Sequence, residues 1–121
     1  MNEPARKMVL IVEDDAATQQ LLVALLRREK YDAAVAADGR RAIEMLETQT
    51  FHAVILDLMM PDVGGQEVID FLAKDGRAVP VIVCTAAGPR VTDAIDSPLV
   101  KAIVRKPFDI DELINAVASI P

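Results

Sequence analysis

The sequence predicts an α/β fold in which a five-stranded parallel sheet is covered by helices on both faces. Two observations lead to this prediction. Short apolar runs, several of them rich in β-branched residues, alternate along the chain with longer segments whose apolar residues recur at helical spacing. Most of the short runs are apolar at successive positions, which is typical of parallel strands buried between two helical layers.

Three strands and two helices are predicted in the first half of the chain. The strands are predicted at residues 8–12, 33–37 and 53–56, and the second has the weakest pattern. Asp15 is well placed to cap the first helix, and Asp38 is expected to lie in the turn before the second. The apolar stripes are Leu21, Leu22, Leu25 and Leu26 in the first helix and Ala42, Ile43 and Leu46 in the second.

The second half continues the alternation with one interruption. A turn at residues 61–65 leads into a third helix that should end at Gly76, and a fourth strand is predicted at residues 80–84. Gly88, Pro89 and Pro98 interrupt the next segment, so its helix should be short or distorted. A fifth strand at residues 102–104 precedes the last helix. The apolar stripes are Val68, Ile69 and Leu72 in the third helix and Ile110, Leu113, Ile114 and Val117 in the last.

The composition fits a single domain with its own apolar core. The chain has 121 residues, of which 52% are hydrophobic, and we expect one domain over residues 1–121 with roughly 7–120 structured. One cysteine allows no internal disulfide, and one histidine argues against a zinc cluster. Cys84 lies inside the apolar fourth strand and is expected to be a buried small hydrophobic residue.

The net charge and the first apolar run argue against two kinds of partner. Nineteen acidic and 13 basic residues give a formal charge of -6, which disfavours nonspecific binding to nucleic acid or to an anionic membrane. The first apolar run ends at three acids and is too short for a signal peptide or a membrane span. We therefore expect a soluble, cytoplasmic protein that binds neither nucleic acid nor a membrane directly.

Chemically active side chains follow four of the five predicted strands. They are Glu13 and Asp14 after the first strand, Asp57 after the third, Thr85 after the fourth, and Lys106 and Pro107 after the fifth. In open α/β sheets, ligands bind beyond the carboxyl ends of the strands. Three carboxylates, a hydroxyl and a lysine are therefore expected to converge on one edge.

This group of side chains suits a hard cation and a phosphoryl group. All-oxygen ligands with few protein donors favour Mg²⁺ over Ca²⁺, since Mg²⁺ keeps several waters and is often completed by phosphate oxygens. A metal ion, a lysine, a hydroxyl and a nucleophilic carboxylate are the parts needed to stabilise a phosphoryl group in transfer. The predicted product is an aspartyl phosphate on Asp57.

The motifs together resemble one family. They are Glu13-Asp14, Asp57 with Met60-Pro61 and Gly65, Thr85-Ala86 and Lys106-Pro107. In this order and spacing they are similar to the receiver domains of two-component response regulators, over essentially the whole chain. The resemblance implies a flavodoxin-like (βα)5 doubly wound sandwich with strand order 2-1-3-4-5. It also implies a signalling switch that catalyses only its own phosphorylation and dephosphorylation and is not otherwise an enzyme.

The resemblance implies a phosphorylation site with a magnesium pocket. Asp57 would accept a phosphoryl group from a sensor histidine kinase or a phosphotransfer protein and relay it to a downstream protein target or output domain. Glu13 and Asp14 would lie in the acidic Mg²⁺ pocket, with Asp14 the direct ligand. Asp57 and the main-chain carbonyl of Met59 would complete the protein's share of the coordination.

The resemblance also assigns roles to residues after the fourth strand. Lys106 would pair with the phosphoryl oxygens, and its peptide bond to Pro107 would be cis. Thr85 would swing in to hydrogen-bond one phosphoryl oxygen. The family usually has Tyr or Phe at the second switch position, where this chain has Ile103. Since an aliphatic side chain cannot make the swing of a ring, our hypothesis is that partners read another surface or a change of order.

Two further positions predict how long the phosphoryl group lasts. The residues two past the acceptor and two past the threonine often tune this lifetime in the family, and here they are Met59 and Ala87. Neither side chain can orient an attacking water. The sequence therefore predicts a comparatively long-lived phosphoryl group.

Two alternatives belong to other functional classes. A haloacid-dehalogenase-like phosphatase also uses a strand-end Asp, Mg²⁺ and a lysine, but it generally has a second Asp where this chain has Met59. A degenerate receiver that serves only as a protein-binding module should have lost one or more pocket residues, and none is lost here. The sequence leaves open the cognate kinase, the oligomeric state and whether the chain stands alone or belongs to a larger protein.

Overall fold

In the part of the chain that the structure describes, five strands alternate with five helices. The strands are β1 (Met8–Val12), β2 (Asp32–Ala36), β3 (Ala53–Leu56), β4 (Val81–Thr85) and β5 (Val100–Arg105). The helices are α1 (Ala16–Arg28), α2 (Gly39–Thr48), α3 (Gly65–Asp75), α4 (Pro89–Thr92) and α5 (Ile110–Ala118). The structure, a computed structural model, describes residues 6–61 and 63–121. The predicted turn at 61–65 thus includes one residue, Asp62, outside the described part.

All neighbouring strands are parallel, and the sheet order is β2-β1-β3-β4-β5. This confirms the predicted fold and strand order. Successive side chains of a strand point to opposite faces, and the two faces carry separate apolar clusters. Leu22 of α1 and Leu113 of α5 pack in one cluster, whereas Leu46 of α2 and Leu72 of α3 pack in the other. Both faces of the sheet are therefore covered by helices.

Three strands differ slightly from the predicted limits. β2 begins and ends one residue earlier than expected, and β4 lies one residue later, so that Thr85 is the last residue of the strand. β5 covers six residues where the apolar run suggested three. The exposed polar residues of this edge strand, such as Lys101, hide its length in the sequence because one side of the strand is not buried.

The predicted apolar stripes contain two residues that the structure leaves exposed. Leu21 of α1 is 43% exposed and Ile110 of α5 is 40% exposed. Leu21 lies at one margin of its stripe and Ile110 is the first residue of α5, while Leu25, Leu26 and Val117 are buried. Four-residue α4 is the short helix expected from the interrupted segment.

The helix ends follow local rules that the sequence displays. Asp15 caps α1 as predicted, since its carboxylate accepts hydrogen bonds from the N–H and hydroxyl of Thr18 at 2.9 and 2.7 Å. Asp38, expected in a turn, is more specifically the N-cap of α2 and accepts from the N–H of Arg41 at 2.8 Å. Gly76 ends α3 in the left-handed conformation, with φ of 79°.

Two further expectations concern Cys84 and membranes. Cys84 is buried in β4, and burial raises the pKa of its thiol to about 11, which agrees with a packing role. Among the described residues, no helix is long and apolar enough to cross a membrane.

Gly65 allows α3 to begin directly against the end of β3. A Cβ at this position would lie 2.7 Å from the carbonyl oxygen of Asp57 and 2.7 Å from the Cα of Leu58. Both contacts are with backbone, which cannot move aside as the tip of a side chain can. At Gly88, by contrast, a Cβ would meet nothing within 4 Å.

We expect Gly65→Ala to lower the free energy of unfolding by about 1–3 kcal/mol, because the added methyl forces α3 away from the backbone after β3. Gly88→Ala is the control and should change it by less than about 0.5 kcal/mol. Urea denaturation of both variants measures the difference. Equal stabilities of the two variants would contradict this prediction, because they would show that α3 can shift at no cost in free energy.

Candidate functional site

The register of the sheet brings the ends of β1 and β3 level with each other. Val12 and Leu56 are direct partners, so Glu13 and Asp57 each follow at the same height. The N–H of Asp57 donates to the carbonyl of Val12 at 3.0 Å, which extends the hydrogen-bonded ladder beyond the strands. The side chains at the carboxyl edge therefore start from a fixed backbone.

Asp57 is 6% exposed, and its carboxylate accepts hydrogen bonds from three donors. Its Oδ1 accepts from the N–H of Met59 at 3.1 Å and from the hydroxyl of Thr85 at 2.9 Å. Its Oδ2 accepts from the ammonium of Lys106 at 3.1 Å. A carboxylate held by a backbone amide, a hydroxyl and a cation has one orientation, with its oxygens at the edge of the sheet.

Lys106 bridges two carboxylates. Besides Asp57, its Nζ contacts Oε1 of Glu13, which is 3% exposed. The second oxygen of Glu13 accepts from the N–H of Asp15 at 3.0 Å. Partial burial alone would lower the pKa of Lys106, but the hydrogen bonds from its ammonium to Glu13 and Asp57 outweigh this and raise it. Lys106 is therefore a permanent cation at neutral pH.

Glu13, Asp14 and Asp57 form an acidic cluster. Each offers an oxygen within 4.8 Å of the others, and Asp14 is the exposed member. Three carboxylates against the one ammonium of Lys106 leave a formal excess of two negative charges. All of these donors are carboxylate oxygens, the type that Mg²⁺ prefers, so the residues present fit this ion.

Asp15 does not belong to this cluster. Its hydrogen bonds with the side chain and backbone of Thr18 lower the pKa of its carboxyl, and both bonds point into α1. This agrees with the expectation that Asp15 caps the first helix.

The other predicted residues lie around the same edge, except Ile103, which lies two residues before the end of β5. Thr85 is fully buried, with its hydroxyl already turned toward Asp57, and the peptide bond between Lys106 and Pro107 is cis. Met59 is 60% exposed beside Asp57. Ile103 is 38% exposed on β5.

Sequence reasoning missed two polar residues near the site. The side-chain amide of Gln19 donates to the main-chain carbonyl of Glu13 at 2.6 Å, which holds the loop after β1. Arg105 donates a hydrogen bond to the main-chain carbonyl of Ala87, in the turn after β4. Gln19 lies one turn into α1 and Arg105 resembles any strand-end charge, so neither has a signal in the sequence that distinguishes it from a solvated side chain.

Comparison with known proteins identifies a family. The model of the response regulator receiver domain matches residues 9–118. Among curated relatives, the DNA-binding response regulator MtrA of Mycobacterium tuberculosis is 34% identical over 117 residues, which cover 93% of this chain and 49% of MtrA. The transcriptional regulatory protein TcrA of the same organism is 36% identical over 107 residues, 87% of this chain and 42% of TcrA. The chain thus spans about half the length of these relatives.

Solved structures give the same answer. Response regulator TrrA of Thermotoga maritima, in complex with Mg²⁺ and BeF, is 29% identical with a TM-score of 0.87 and covers 95% of this chain and 99% of its own. A response regulator receiver protein from Pseudomonas putida is 27% identical with a TM-score of 0.84, covering 96% and 98%. The resemblance seen in the sequence is confirmed. The chain belongs to the family of response regulator receiver domains.

Proposed function

We propose that this domain is a switch that accepts a phosphoryl group on Asp57 from a sensor histidine kinase or a phosphotransfer protein. The observation that carries the proposal is the carboxylate of Asp57 held at the sheet edge by Lys106, Thr85 and the N–H of Met59. In the proposed step an oxygen of Asp57 forms a bond to phosphorus while the bond from phosphorus to the donor's imidazole nitrogen breaks. The donor's ring, protonated on its other nitrogen, leaves as neutral imidazole, and the product is an acyl phosphate.

Each residue of the site has a distinct part in this step. Lys106 lies where its ammonium balances charge on the incoming phosphoryl oxygens, and Thr85 has a hydroxyl that can transfer its hydrogen bond from Asp57 to one of them. Both donors are in place before the reaction, so little reorganisation is needed.

Glu13, Asp14, Asp57 and the main-chain carbonyl of Met59 are the residues that we propose hold Mg²⁺. The Mg²⁺ complex of the neighbour TrrA supports this choice of ion. When bound, the ion neutralises charge on the phosphoryl oxygens during transfer. Glu13 has both oxygens hydrogen-bonded, whereas Asp14 is exposed, which supports Asp14 as the direct ligand of the pair.

The proposal extends to the setting in which the domain acts. We propose one receiver domain over residues 1–121 that acts in the cytoplasm, catalyses only its own phosphorylation and dephosphorylation, and passes the signal to a protein target or output domain. DNA binding is named for relatives such as MtrA, about half of which this chain matches. We propose that these 121 residues do not themselves contact nucleic acid, which their charge of -6 supports.

The two alternatives are not favoured. The position of the second Asp of a haloacid-dehalogenase-like phosphatase is Met59, which has no proton to exchange. A binding module without phosphorylation chemistry would not need Asp57, Thr85 and Lys106 in mutual contact.

The direct test is the intact mass after incubation with acetyl phosphate or phosphoramidate, with and without Mg²⁺. We expect one phosphoryl adduct that requires Mg²⁺ and that Asp57→Asn lacks, because an amide cannot replace the nucleophilic carboxylate. Asp38→Asn is the control, since asparagine also caps a helix and this residue lies outside the acidic cluster. No adduct on the wild-type protein with either donor would contradict the proposal.

Magnesium should stabilise the domain through Asp14. At a Mg²⁺ concentration ten times its Kd, the free energy of unfolding should rise by about 1.4 kcal/mol. Asp14→Asn should lose this rise, although it should also stabilise the metal-free protein by relieving repulsion in the acidic cluster. Thermal unfolding at constant ionic strength measures both. Asp15→Asn, which changes the neighbouring cap, should keep the rise, and an equal loss in both variants would contradict the assignment.

The side chain of Met59 should set the lifetime of the phosphoryl group. Because it is exposed beside Asp57 but has no strong hydrogen-bonding group, it cannot orient a water for attack. Met59→Asn should speed dephosphorylation by roughly two- to tenfold, the equivalent of one hydrogen bond. Loss of the adduct mass over time measures the rate. Met59→Leu should decay like the wild type, and a similar acceleration in both variants would show an effect of packing instead.

A further inference from the structure

Arg105, the last residue of β5, links the turn after β4 to α4. Its Nη1 donates to the main-chain carbonyl of Ala87 at 2.9 Å, and its Nη2 donates to Oγ1 of Thr92 at 2.9 Å. Ala87 and Thr92 are each only 3% exposed. The planar guanidinium thus supplies donors to two oxygens of buried residues that lie five positions apart in the chain.

Ala87 in turn contacts the proposed phosphorylation site through Thr85. The N–H of Ala87 donates to Oγ1 of Thr85 at 3.2 Å, and the hydroxyl of Thr85 donates to Oδ1 of Asp57 at 2.9 Å. A hydroxyl has one hydrogen, so accepting the bond from Ala87 leaves that hydrogen directed at the carboxylate. Arg105 therefore holds the carbonyl of the residue whose N–H orients the hydroxyl of Thr85.

The strand places Arg105 on the correct face for this contact. Side chains two apart on a strand point to the same face. Val104, which lies between Ile103 and Arg105, is buried in the cluster of α1 and α5. Ile103 and Arg105 therefore both point to the opposite face, where α4 lies. Ile103 has no hydrogen-bonding group, whereas Arg105 makes two hydrogen bonds across this face.

We propose that Arg105 is a positioning residue for phosphoryl transfer. It fixes the turn after β4 so that the hydroxyl of Thr85 faces the reacting carboxylate, and it ties that turn to α4 through Thr92. The proposal rests on the function proposed above, and the motifs that resemble the family assign Arg105 no role.

The test is a double-mutant cycle on the rate of phosphorylation by acetyl phosphate at fixed Mg²⁺. We expect Arg105→Met to slow adduct formation by roughly two- to tenfold, because the turn that orients Thr85 loses a hydrogen bond. The same change in a Thr85→Val background should leave the rate unchanged, since the group through which Arg105 acts is absent. A merely structural role would slow both backgrounds equally, and that result would overturn the proposal, as would an unchanged rate in the wild-type background.

Two conservative variants test the geometry of the contact. Arg105→Lys keeps the charge but not the two-pronged fork, and it should slow phosphorylation nearly as much as Arg105→Met. Thr92→Val removes one of the two anchors and should give a smaller decrease. Full rescue by Arg105→Lys would show that charge alone matters and would overturn the proposed positioning role.

Hydrogen exchange requires no phosphorylation, so it tests the role of Arg105 separately from the proposed function. In the unmodified protein, Arg105→Met should speed hydrogen exchange of the Ala87 amide in the wild-type background and have no added effect in the Thr85→Val background. If the wild-type protein forms no adduct, the proposed function fails, and this exchange cycle alone decides the positioning of Thr85. Equal acceleration in both backgrounds, or none, would overturn it.

Discussion

The contact of the Lys106 ammonium with Glu13 and Asp57 is the interaction on which the rest of the site depends. Both carboxylates are nearly buried, and a buried charge without a partner costs several kcal/mol. The lysine follows the edge strand β5, whereas the acids follow β1 and β3 near the middle of the sheet. The contact therefore exists only when all the strands between them pair in the observed register.

This arrangement divides the acids by role. Glu13 is occupied by Lys106 and the N–H of Asp15, which leaves Asp14 as the exposed acid of the cluster. Asp57 stays fixed by three donors from three different parts of the chain. Hydrogen bonds join Asp57 to Thr85 and Thr85 to Ala87, so a change at Asp57 has a hydrogen-bonded route to the turn after β4.

The fold and the charged part of the site could be predicted because their signals are local. Apolar runs mark the buried strands, and the rule that sites lie beyond the carboxyl ends of parallel strands brings Glu13, Asp57 and Lys106 together. The features that could not be predicted depend on which residues meet, or are left exposed, in the folded structure. The full length of β5 is hidden by its exposed side, and the contact between Arg105 and Ala87 joins residues 18 positions apart. Leu21 shows the same limit, since helical spacing does not reveal which margin of a stripe is covered.

Phosphorylation of Asp57 itself can be tested by borohydride reduction of the phosphorylated protein, followed by peptide mass mapping. Borohydride converts an aspartyl acyl phosphate to homoserine, so it identifies both the residue and the type of bond. We expect homoserine at position 57 only, in a sample phosphorylated in the presence of Mg²⁺. Homoserine at Asp14, reduction at Glu13, or a phosphoryl group that resists borohydride would contradict this expectation.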